Sequence, residues 1–186
     1  MSSLRTPRAT IGLLTLVVAA VALQTLDGRL LPAWQWDAPA VMRGEVWRMF
    51  TGALVHSHGW SQIAFNLTGL VLIGWLVEQQ WSRRAWALAA TAGIAAGELS
   101  AVWWHPVGGG ISVALGGLVG LAVVGWLIDP RLPAWFRFGL PALYLAGATY
   151  VVSLSDIHGP PLFAGAGVGL AMRGDRRLPM GSLIHG

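Results

Sequence analysis

The chain has 186 residues, 55% of them hydrophobic and only 11% charged, with a mean hydropathy of +0.61. A soluble domain carries about 25% charged residues, so this composition excludes a soluble protein, and the length suits one bundle rather than two membrane domains. Cysteine and lysine are absent and all twelve basic residues are arginine, which removes disulfides, thiolate metal sites, cysteine nucleophiles and Schiff-base chemistry. A net charge of +4, spread along the chain, offers nucleic acid no basic patch.

Apolar runs of bilayer-crossing length predict an all-α polytopic membrane protein with six spans, over 10–26, 60–78, 85–104, 111–128, 135–153 and 158–172. The first run is too long for a signal-peptide core and lacks a small-x-small cleavage site, so it reads as a retained span. Residues 27–59 form the one long connection. Trp34, Trp36, Trp47 and Trp60 give it an interfacial character that places it in or on the outer leaflet with short helices. The whole chain, 1–186, reads as a single domain with a core over 44–172 and short cytoplasmic tails. The segment after Met172 reads as a tail with no structure of its own.

Arginine counting sets the expected orientation. With the N-terminus inside, the cytoplasmic segments hold Arg5, Arg8, Arg83, Arg84, Arg131, Arg137, Arg173, Arg176 and Arg177, nine of twelve. Arg29, Arg43 and Arg48 fall outside, among Asp27, Asp37 and Glu45. Six spans return the C-terminus to the cytoplasm.

Polar residues inside spans are costly and therefore informative. Gln62, Asn66 and Gly69 share one helical face, as hydrogen-bonding glue between helices or as part of a site. Span four opens with Gly108-Gly109-Gly110-Ile111-Ser112. Exposed glycine backbone suits a cavity wall or a close helix contact rather than lipid, and Ser112 falls in the first helical turn, where free N–H groups point outward. Span six opens at His158, with Gly165 and Gly169 close to the same face. Even-numbered spans all start outside, so Asn66, Ser112 and His158 share one outer layer, and glycine packing would bring serine and imidazole together. Serine needs such a base to act as a nucleophile. Asn66, Gln62 and the N–H groups beside Ser112 are candidate oxyanion donors. Two-residue spacing on a helix separates Asp156 from His158, so a Ser112/His158 dyad is the simpler expectation. Glu98 lies deeper and has no partner that the sequence identifies; a transporter using it as a proton site is a distant third reading. His56 and His58 read as loop histidines, and the His-Glu-x-x-His metal signature is absent.

These residues resemble the rhomboid family of intramembrane serine proteases. Gly44-Glu45-Val46-Trp47-Arg48 with Thr51 and His56 is similar to the family's loop motif. Ala64-Phe65-Asn66 with Gly74 and Glu78 resembles its second span, and Gly110-Ile111-Ser112 its nucleophile motif. The resemblance implies a six-helix bundle and cleavage of single-span membrane proteins near the outer face of a bacterial plasma membrane, with span five as the lateral gate. No metal or cofactor is implied. Three positions depart from the family pattern: Val113 replaces the second glycine of Gly-x-Ser-Gly, Gln62 stands where a histidine is usual, and Pro161 replaces a glycine. Inactive relatives exist in the family, so the alternative is an inert protein that binds transmembrane helices.

Overall fold

The computed structural model describes residues 5–177. Helix α1 (Arg8–Leu26) leads into three short helices, α2 (Leu30–Trp34), α3 (Ala38–Met42) and α4 (Arg48–Thr51). Then α5 (Gly59–Gly69) and α6 (Trp75–Gln80) join through a π-helical turn at Leu70–Gly74 into one rod, Gly59–Gln80. Helices α7 (Arg83–Trp104), α8 (Ser112–Leu127), α9 (Ala134–Ser153) and α10 (Gly159–Ala171) complete the bundle. The long helical segments coincide with the expected apolar runs to within two residues at nearly every end. By length and composition, α1, the α5–α6 rod and α7 are each sufficient to cross a membrane, and α8 is a shorter apolar helix.

Helix α8 is the central post. Of its sixteen residues, eleven are buried, and it packs against both α7 and α10 through glycine. A Cβ on Gly117 would strike the Ala89 carbonyl of α7, and one on Gly165 of α10 would strike the Gly117 carbonyl. Gly116 faces Pro161, Gly120 faces Leu162 and Ala166, and Gly169 faces Val124. These contacts advance together along α8 and α10, so the two helices run parallel, as expected of two spans that start on the same side. Without side chains between them the backbones approach closely, which is how apolar helices gain dispersion energy when lipid removes the hydrophobic drive. By contrast α9 buries only Ala148 and carries Pro141 within its length.

The 27–59 connection is a packed cap rather than a strap. Arg48, 8% exposed, is its centre: Nη1 donates to the Pro32 and Gln35 carbonyls at 2.7 and 3.1 Å, and Nε to Glu45 at 2.8 Å. Thr51 Oγ1 donates to the Trp34 carbonyl at 2.7 Å. The Gln24 amide at the end of α1 exchanges two 2.9 Å bonds with the His56 backbone. A two-residue strand, β1 (Trp36–Asp37), then pairs antiparallel with β2 (Val107–Gly108). The cap is thereby stitched to the glycine run that precedes α8.

At the opposite end, Glu78 is buried and accepts from the backbone N–H groups of Ala9 and Thr10, both at 3.0 Å, from Thr10 Oγ1 at 3.1 Å and from Arg83 at 3.1 Å. It serves as an external cap for the N-terminus of α1, where free N–H groups and the helix dipole favour a carboxylate. One expectation is corrected here. Residues 173–177 have defined structure: a 3₁₀ turn at Arg173–Asp175, a bridge between Arg176 and Trp81, and a 2.9 Å ion pair from Arg176 to buried Asp129. The ion pair, the bridge and a 2.9 Å bond from Ser82 Oγ to Asp175 hold the segment down. The rest of the expected tail lies outside the described residues.

Candidate active site

The glycine run fixes where α8 begins. Gly110 has φ +151°, a conformation open mainly to glycine. A Cβ there would also lie 2.7 Å from Gln62 Nε2 and 3.3 Å from Asn66 Nδ2. The preceding peptides are pinned from three sides: Gly110 N–H donates to the Gly52 carbonyl at 3.0 Å, Gly109 N–H to Ser57 Oγ at 3.1 Å, and Gln62 Nε2 to the Gly109 carbonyl at 3.0 Å. Ser112 then occupies the first position of α8.

The structure brings Ser112 and His158 together, with Oγ and Nε2 2.9 Å apart. His158 immediately precedes α10. Since α8 and α10 are parallel and in glycine contact, their first residues lie side by side. Asn66 lies next to the same glycine loop, 1% exposed, and its Nδ2 has no hydrogen-bond partner among the described residues. Gln62 differs: Nε2 is bound to Gly109 and Oε1 accepts from the His58 N–H at 3.0 Å. Of the two amides expected as oxyanion donors, Asn66 has its whole NH2 group unused among the described residues, whereas Gln62 spends one N–H and its carbonyl on holding the loop.

Val113 is accommodated by the neighbouring helix. A Cβ on Gly97 of α7 would collide with the Val113 side chain, so the bulk added after the serine lies in a notch left by a bare glycine. Glu98, also on α7, is 5% exposed with Oε2 unpartnered. It lines a cavity of about 240 Å³ together with Ser112, His158, Trp36, His105 and Val113. That is smaller than the roughly 300–1,000 Å³ of drug-sized ligand sites, and suits a short side chain with its peptide backbone. Among the described residues no group of three or more histidine or acidic side chains is arranged to hold a metal ion.

Asp156 is the residue that spacing misjudged. The two-residue rule holds within a helix, but α10 starts at Gly159, and Asp156 sits in the turn before. Its Oδ1 accepts from His158 Nδ1 at 2.6 Å and from the His158 backbone N–H at 2.9 Å. Two residues apart in a turn, unlike on a helix, a short carboxylate folds back onto the following backbone and ring. The sequence carries a signal for this: Pro160 and Pro161 favour a first helical turn, which points to a helix that begins near Gly159. Burial raises the Asp156 pKa, but the backbone N–H and ring of His158, with the charges of His158 and His105, outweigh it and hold the carboxyl below its ordinary value.

A Rhomboid domain family model matches residues 43–171. No curated protein matches the chain. The match covers the second half of the cap, the glycine loop, Ser112 and His158 in one unbroken stretch, and the chain is an integral membrane protein of the rhomboid family.

Proposed function

We propose that the protein is an intramembrane serine protease that cleaves transmembrane substrates with Ser112 and His158. The observation that carries this reading is the 2.9 Å approach of Ser112 Oγ to His158 Nε2, within the reach required of a nucleophile and its base. In this mechanism Ser112 Oγ attacks the scissile carbonyl and passes its proton to Nε2. The resulting oxyanion accepts from Asn66 Nδ2 and the N–H groups at the start of α8, with the second N–H of Gln62 in reach of the same loop. Collapse breaks the C–N bond, and the imidazolium returns the proton to the departing amine. Water then hydrolyses the acyl-enzyme by the same route with His158 again as base.

The arginine asymmetry supports six crossings with both termini cytoplasmic, and therefore cleavage near the outer face. The all-arginine basic set fits a bacterial plasma membrane. Helix α9, with a single buried residue, is the element best suited to move aside for a substrate helix. Val113 favours the alternative of an inert helix-binding relative, but its side chain fits the Gly97 notch without displacing Ser112. A fluorophosphonate probe separates the readings. Labelling of wild-type membranes that disappears in both Ser112→Ala and His158→Ala supports the protease. A folded wild type that stays unlabelled beside an active rhomboid control supports the inert binder.

A further inference from the structure

We infer that Asp156 is the positioning residue of a Ser112–His158–Asp156 relay, so that the site works as a triad rather than a dyad; this rests on the protease reading above. The argument is one of donors and acceptors. An ionised carboxylate can only accept, so at 2.6 Å from Asp156 Oδ1 the Nδ1 of a neutral His158 must carry the proton. That leaves Nε2 with its lone pair facing Ser112 Oγ at 2.9 Å. The other tautomer would put two lone pairs against each other at Nδ1 and an N–H against the serine, where no base would remain. Asp156 therefore selects the only tautomer in which Ser112 can be deprotonated, and its charge stabilises the imidazolium that forms as it happens.

The turn is built to hold the carboxylate there. Helix α9 ends with Ser155 at φ +56°. The Ser155 N–H bonds the Val152 carbonyl at 2.9 Å and the Asp156 N–H bonds the Val151 carbonyl at 3.2 Å, the paired closure of a Schellman motif. Asp156 is thus locked to the end of α9 while His158 is locked to the start of α10. The other titratable groups facing this pair are Glu98 on α7, His105 at the end of α7, and His58 ahead of α5, which line the same cavity.

The side chains of Asp156 and His158 are 43% and 50% exposed, so water screens the charge, and the effect is smaller than the roughly 10⁴-fold loss known for a fully buried triad carboxylate. The test is the rate of fluorophosphonate labelling against pH, with thermal unfolding of each variant in detergent. Asp156→Asn keeps an Oδ1 acceptor for the His158 backbone and ring, removes the charge and puts an NH2 donor in place of Oδ2. It is expected to label about 10-fold more slowly, with the acid limb of the rate profile moved to lower pH and unfolding unchanged. Asp156→Ala is expected to lose about 100-fold, and Asp156→Glu to recover part of that. Wild-type rates and an unmoved pH profile in both Asn and Ala variants, with Ser112→Ala still silent, overturn the inference alone. If the wild type itself does not label, the protease reading fails, and ¹⁵N shifts of the His158 ring still decide the geometry. An Nδ1–H tautomer that is lost in Asp156→Ala upholds the positioning contact, and an Nε2–H tautomer in the wild type refutes it.

Discussion

The two ends of the bundle treat their buried carboxylates differently. At the Glu78 end the carboxylate has four donors, and Asp129 pairs with Arg176. At the Ser112 end, Asn66 Nδ2 and Glu98 Oε2 are buried with no partner, while the serine–histidine pair opens onto a cavity. An unsatisfied buried donor costs about 1–3 kcal/mol, so it persists only where something offsets that cost. A satisfied polar group in a helix bundle is glue. On the proposed reading, an unsatisfied donor beside the Ser112 loop is held ready for charge that develops during reaction.

Substitutions at the two ends should therefore fail in different measurements. Asn66→Ala should slow Ser112 labelling about 100- to 1000-fold, as for other single oxyanion donors, while thermal unfolding stays level or improves. A loss of stability with an unchanged rate would make Asn66 ordinary glue. Glu78→Ala should do the reverse, losing about 2–3 kcal/mol because several N–H donors at the start of α1 lose their acceptor, with the labelling rate of the remaining folded protein intact. Denaturant or thermal unfolding in detergent checks it.

A smaller effect is expected at the turn that carries Asp156. Ser155→Gly removes a left-handed strain of about 1 kcal/mol and should raise the unfolding midpoint slightly while leaving labelling unchanged. Ser155→Val should lower both, since it displaces Asp156 as well.

The smallest effect concerns pH. His56, in the cap and outside the spans, is 1% exposed; burial lowers its pKa from 6.5, and the Leu54 carbonyl only partly opposes this. The folded state thus favours the neutral ring, so its contribution is fully present above pH 6.5 and is lost as the pH falls from there through the lowered value. Asp156 acts in the same direction at more acidic pH, because its pKa is also depressed. His56→Gln should flatten the first part of the stability profile, and an unchanged slope would show that the ring does not titrate against folding.

How legible this was in the sequence depended on the range of the interaction. The helical segments could be read because apolar run length is a local property, and the α8–α10 contact because Gly116, Gly120, Gly165 and Gly169 are periodic. The meeting of Ser112 and His158 followed from topology, since both begin even-numbered helices. Asp156 escapes a helical spacing rule because it lies in a turn, which Pro160 and Pro161 mark. The pairing of Trp36–Asp37 with Val107–Gly108, and of Arg176 with Asp129 and Trp81, joins segments about 50 to 100 residues apart through contacts of one or two residues. No periodicity announces contacts that short. The same holds for the Gly97 notch under Val113, which is visible only once α7 lies against α8.

The most direct test of the account is to map the phosphonate adduct by peptide mass spectrometry after labelling in membranes. The account predicts one modified peptide, the one containing Ser112, in the wild type and in Ser155→Gly, and no adduct in His158→Ala. An adduct on Ser57 or another serine, or an equal adduct at Ser112 without His158, would contradict it.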